Sequence, residues 1–140
     1  MNERVPFGTH WLEFEPGPLI VVRFVGTYTR HDALRMAAVI RDRYPPGLRY
    51  FVIADALHLG STDADARKQH VQWVLSRPPL AVATISSSIV TRTLGTLIQN
   101  AHQLLSGTKV PSIFCKTESE ARSWLAEQMS QAAPPRDLAP

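Results

Sequence analysis

The sequence predicts a single α/β domain built on a mostly parallel sheet, and three observations support this. Apolar runs of strand length alternate with amphipathic stretches of helix length. The inner runs are apolar almost throughout, as strands covered on both faces are. Proline and glycine clusters, Pro16-Gly17-Pro18, Pro45-Pro46-Gly47 and Pro78-Pro79, separate the units. At 140 residues with 44% hydrophobic content, the chain is long enough to bury one core.

Residues 9–15 (THWLEFE) alternate as a half-buried strand does, and Pro16-Gly17-Pro18 turns the chain into a second run, 19–25 (LIVVRFV), which makes an N-terminal hairpin. Gly26 is expected to end that strand. Thr29, with Asp32 three residues later, has the spacing of a helix N-terminal capping pair. The helix that follows puts Ala33, Met36, Ala37, Ile40 and Tyr44 on one side, and His31, Arg35, Arg41 and Asp42 elsewhere. Residues 49–54 (RYFVIA) read as a strand buried on both faces, followed by a helix over about 63–76 and a further strand at 80–85 (LAVATI).

Between 88 and 106, Leu94, Leu97, Ile98, Ala101, Leu104 and Leu105 keep helical spacing, and Gly107 stands where a helix end favours positive φ. Residues 110–116 (VPSIFCK) form the last strand. Thr117-Glu118-Ser119-Glu120 is a capping box that opens a final helix with Ala121, Trp124 and Leu125 facing inward. The expected order is therefore five strands and four helices with right-handed crossovers. Residues 130–140 are small, polar and proline-rich, so disorder is expected there and the domain is placed at 1–129.

Composition excludes several classes of function. Fifteen basic residues against twelve acidic ones leave a net charge of +3, spread along the chain without the Lys/Arg block that nucleic-acid binding needs. Cys115 is the only cysteine, so neither a disulfide within the chain nor a thiolate metal site can form. His10, His31, His70 and His102 show no HxxxH spacing, and neither a metal nor a cofactor is expected. The opening MNERVPFGTH lacks a signal-peptide pattern, and no apolar run approaches the roughly 20 residues that span a bilayer; a cytoplasmic protein is expected.

Three stretches, VIADALHLGSTDADAR at 52–67, VATISSSIVTRTLGTLI at 82–98 and VPSIFCKTESEARSWL at 110–125, carry a resemblance. Together they resemble the STAS domain of anti-sigma-factor antagonists, and more closely the SpoIIAA-like or STAS/SEC14-like proteins of bacteria, over about residues 11–129. The resemblance implies a regulatory module that binds another protein without catalysis. In those antagonists the loop entering the second helix carries Asp-Ser-Ser-Gly, whose first serine is phosphorylated. In the best register Ser61 takes the place of the acid, Thr62 of the phosphorylated serine, Asp63 of the second serine and Ala64 of the glycine. Asp63 and Asp65 already place negative charge at this helix N-terminus, so capping by Ser61 or Thr62 is preferred to a phosphorylation switch.

Asp55 is expected at the carboxyl end of a central strand, the edge where open α/β sheets bind ligands. Paired with His58 it would suggest acid–base chemistry, but no nucleophile motif or phosphate loop accompanies the two, and an enzyme is not expected. Asp55, His58, Ser61, Thr62 and Asp63 are thus the candidate partner-binding residues. Ser86, Ser87 and Ser88, with Arg92 one turn on, are candidates for binding an anion or ligand at a helix N-terminus, with capping as the simpler reading. The wide apolar stripe of the 88–106 helix suits packing on the sheet. Burial in a dimer contact or beside a small apolar ligand, as in SEC14-like carriers, is the alternative; a protein partner is the first expectation, and a homodimer and a small-molecule ligand stay open.

Overall fold

The structure, a computed structural model, describes residues 3–88, 96, 100 and 110–132. Its elements are β1 (Glu3–Phe7), β2 (His10–Glu15), β3 (Leu19–Tyr28), α1 (Arg30–Arg43), β4 (Phe51–Thr62), α2 (Ala64–Ser76), β5 (Ala81–Ile85), β6 (Ser112–Cys115) and α3 (Glu118–Ala132). One sheet holds all six strands in the order β1-β2-β3-β4-β5-β6. The pairs β1–β2 and β2–β3 are antiparallel. The pairs β3–β4, β4–β5 and β5–β6 are parallel.

The expected mostly parallel five-stranded sheet is thus corrected to a mixed one of six strands. The added strand, β1, is an edge strand that among the described residues pairs only with β2. There Pro6 is tolerated because one side of the strand needs no hydrogen bonds, and Glu3 and Arg4 keep it polar, so its sequence carries little strand signal. Three helices stand among the described residues rather than four. Of the helix expected over 88–106 only Ser88, Thr96 and Asn100 are described, so that element, with Arg92 and Gly107, lies outside the described residues, as does the tail from 133. The last helix continues to Ala132, past the predicted boundary at 129.

Strand alternation divides the core between two faces. Ile20, Val22 and Phe24 of β3 lie with Leu12 and Phe14 of β2 beneath α1 and α2, meeting Met36, Ile40 and Trp73. Leu19 and Val21 point the other way, joining Phe51, Ile53, Ala81, Ala83 and Ile85 under Ala121 and Leu125 of α3. Parallel crossovers of one hand that step the same way across a sheet set their helices on one face, which is why α1 and α2 are neighbours. The helix starts follow local chemistry. Thr29 caps α1 reciprocally with Asp32, as the spacing predicts, and Ala33, Met36, Ala37 and Ile40 form its buried stripe. Thr117 Oγ1 accepts from the Glu120 N–H at 3.2 Å at the start of α3.

Candidate functional site

The expected loop between residues 54 and 63 is strand. β4 runs to Thr62 because two bulges let it continue beside β3: Arg23 and Val25 face Asp55 and His58, and Gly26 and Tyr28 face Leu59 and Thr62, so three residues of β4 twice oppose two of β3. Each bulge resets the side-chain alternation, which hides the strand from a period-two reading. β3 likewise runs past Gly26 to Tyr28, against expectation. Gly26 adopts φ +77° there, and a Cβ on Gly60 would stand 3.2 Å from the Gly26 carbonyl carbon, so the two strands approach through a pair of glycines.

Only the first half of β4 is flanked on both sides: Phe51 to Asp55 pair with β5, whereas His58, Leu59 and Thr62 pair with β3 alone among the described residues. The second half therefore projects as a rim. On it Leu57 is 43% exposed, and His58, Gly60, Ser61, Asp63, Ala64 and Asp65 are exposed as well.

Within this rim the candidate residues have distinct roles. Asp55 is not a free carboxylate at a strand end but lies in mid-strand, where Arg23 Nη1 donates to its Oδ2 at 2.9 Å and the Leu57 N–H to its Oδ1 at 3.2 Å. Arg23 also donates to Glu118 Oε1 at 2.8 Å and to Glu13 Oε2 at 2.9 Å. Arg122 extends the chain of charges by gripping both oxygens of Glu15 at 2.8 Å and Glu118 Oε2 at 2.8 Å. The Glu118 hydrogen bond, then that of Glu13, raises the Arg23 pKa. Arg23 in turn holds Glu118 below the usual carboxylate range. Burial alone would raise Glu13, but its bonds from Arg23 and Trp11 outweigh that and lower it. A carboxylate engaged in this way is a structural anion tying β4 to β2, β3 and α3, and its charge is spent on the pairing.

Helix α2 is capped by Asp63, whose Oδ1 accepts from the Ala66 N–H at 2.7 Å, and not by Ser61 or Thr62 as expected. The strand reaches Thr62, so the first residue free to take a capping conformation is the next one. Ser61 Oγ instead lies 3.2 Å from Thr27 Oγ1, and Thr62 Oγ1 reaches only the Asp63 carbonyl at 3.5 Å. Ser86 is buried with its hydroxyl turned into its own bend, where it accepts from the Ser88 N–H at 3.0 Å; Ser87 is exposed. Ser86 and Ser88 thus bond to each other in a turn at the end of β5, and Arg92 lies outside the described residues.

Behind the rim lies an apolar cavity of about 170 Å³ between α1, α2 and the sheet; the sequence allows an apolar ligand beside the 88–106 helix, which lies outside the described residues. Val22, Val52, Ala54, Ala56 and Trp73 contribute its walls, and Tyr28 and His70 its inner polar pair, with Tyr28 Oη 3.0 Å from His70 Nδ1. Burial pushes the His70 imidazole down to about 4 and the Tyr28 phenol well above its ordinary range, so both are neutral near pH 7. Trp73 is itself buried in the core cluster. His10 is buried: its Nδ1 accepts from the Val25 N–H at 2.8 Å, so Nε2 bears the proton and faces Asp32 Oδ2 at 3.1 Å. Cys115 is buried, and burial raises its thiol. Among the described residues no group of three or more His, Cys, Asp or Glu side chains is placed to hold a metal, and no helix is long and apolar enough to cross a membrane.

The chain's backbone is similar to two solved structures. One is an uncharacterized protein of the DUF3478 family with a SpoIIAA-like fold from Shewanella loihica PV-4, at a TM-score of 0.58 and 13% identity over 89% of this chain and 92% of that one. The other is the anti-sigma factor antagonist SpoIIAA in its unphosphorylated form, at a TM-score of 0.58 and 18% identity over 84% of this chain and 98% of that one. No protein-family model and no curated protein matches the sequence. The chain therefore has a SpoIIAA-like α/β fold, the fold implied by the sequence resemblance.

Proposed function

We propose that this chain is a non-catalytic regulatory module that docks another protein on the projecting end of β4 and the first turn of α2. One observation carries the reading: beyond Asp55, β4 leaves the flank of β5 and presents Leu57 on an otherwise polar rim. An exposed large apolar residue framed by His58, Ser61 and Asp65 is the composition of a small docking patch. Likeness to an anti-sigma factor antagonist agrees with a protein partner. Asp55 and Asp63 position the patch, the first through Arg23 and the second as the cap of α2. Thr62, in the register of the phosphorylated serine, lies beside Asp63 and near Asp65, so a phosphate there would meet like charge. Docking is accordingly constitutive, and a cytoplasmic setting suits it.

Affinity capture from a lysate of the source cells with three forms of the chain tests this: wild type, Leu57→Asp, and Ser123→Asp on the exposed face of α3. A protein retained by the wild-type and Ser123→Asp forms but lost by Leu57→Asp is expected. Capture of the same proteins by all three forms contradicts the assignment.

A second reading, a carrier or sensor of a small ligand, is favoured by one separate observation, the apolar cavity beneath α1 and α2.

A further inference from the structure

Resting on that second reading, we propose that the cavity takes an uncharged molecule the size of one aromatic ring bearing a single hydrogen-bonding group, and that His70 supplies the bond.

Size sets the first limit. The volume is about 170 Å³, and an apolar cavity of about 150 Å³ in a protein interior has room for benzene. The space exists because Ala54 and Ala56 stand on β4 where larger side chains would fill it.

Polarity sets the second. Tyr28 Oη meets His70 Nδ1 at 3.0 Å and approaches Met36 Sδ at 3.9 Å, and the two rings are edge to face with centroids 5.8 Å apart. This fixes the imidazole and uses one of its nitrogens. The other nitrogen, Nε2, has no protein partner among the described residues. A neutral imidazole bound through Nδ1 offers one donor or one acceptor at Nε2, according to tautomer, and a hydroxyl can satisfy either. Tyr50, the other phenol of the lining, is already bonded to the Arg77 carbonyl at 2.6 Å. Thr84 of β5 is half-buried and Ser112 of β6 is exposed.

Charge sets the third. No carboxylate lines the cavity among the described residues, so a cation finds no partner there. Arg67 is the one charged side chain of that lining, and its Nη1 is turned to the Thr62 carbonyl at 3.0 Å. An anion drawn into this apolar space would lose its hydration, which one guanidinium turned toward that carbonyl offsets only in part.

Ligand-observed NMR titrations with phenol, benzene and benzoate test the inference on wild type, His70→Phe and Ala54→Leu, each checked by its melting temperature. The expected order in wild type is phenol over benzene by about three- to tenfold, the range of one net hydrogen bond, with benzoate weakest. In His70→Phe the phenol preference should fall to near one while benzene still binds, and in Ala54→Leu both should be lost. Should His70→Phe fail to fold, Tyr28→Phe, which frees the imidazole from its anchor, should reduce the preference in the same direction. Absence of any binding to wild type ends the carrier reading and this inference together. Equal binding of phenol and benzene, or a preference that survives both substitutions, overturns the role of His70 and leaves the cavity as a plain apolar site. Tighter binding of benzoate than phenol overturns the neutral ligand.

Discussion

Protonating His70 should destabilise the fold within a defined pH window. Its folded-state pKa is lowered from 6.5 to about 4 by burial. A group whose folded value is depressed gives its full contribution above the unfolded pKa and loses it as pH falls toward the folded one. For His70 the loss therefore develops as pH falls from about 6.5 to about 4. The displacement corresponds to on the order of 3 kcal/mol, and nearer 2 kcal/mol once the partial solvent access of the ring is allowed for. The group that meets the imidazole is the Tyr28 hydroxyl, and among the described residues no carboxylate lines the cavity around it to stabilise the protonated form. Urea unfolding of wild type and His70→Phe at half-unit steps from pH 7.5 to 4.5 measures the effect. Subtracting one series from the other cancels the remaining histidines and the carboxylates. Wild type should lose about 2 kcal/mol more than the variant across this range. Parallel curves for the two proteins would refute the burial of the imidazole on which the estimate rests.

Arg23→Met should lower stability by about 1–3 kcal/mol in chemical unfolding, because Asp55, Glu13 and Glu118 are left without their shared cation in a partly buried setting. Adding Asp55→Asn to that variant should recover part of the loss, which a double-mutant cycle reads directly. Asp63→Ala should cost about 1 kcal/mol through the lost cap, whereas Ser61→Ala should stay within about 0.5 kcal/mol, and thermal melts of the two distinguish them.

The parts of the fold that were legible in sequence are those where one physical rule acts alone. Thr29 and Asp32 announce a cap because no tertiary contact is needed to satisfy those groups, and the stripe Ala33, Met36, Ala37 and Ile40 announces the buried face of α1. Glu3 to Phe7 did not announce a strand, since an edge strand is specified by its neighbour more than by its own residues. The rim was misread as a loop because two bulges broke its alternation, and the glycine pair that permits one of them, Gly26 and Gly60, comes from strands far apart in sequence. Misplacing the strand end misplaced the cap by one or two residues. Arg23 gave a signal that could have been used: a lone cation within LIVVRFV demands a buried acid nearby, though which of Glu13, Asp55 or Glu118 answers it is a matter of topology. The cavity left no such mark, because an absence of volume among Ala54, Ala56 and their neighbours exists only after packing.

The docking surface can be located directly by hydrogen–deuterium exchange on the chain alone and in complex with the protein that it captures. Protection should concentrate at amides 57–66, covering the free half of β4 and the first turn of α2, with α3 unchanged. Protection centred on α3 or β1 with residues 57–66 exchanging as in the free chain would contradict the proposal that the rim of β4 is where this fold meets its partner.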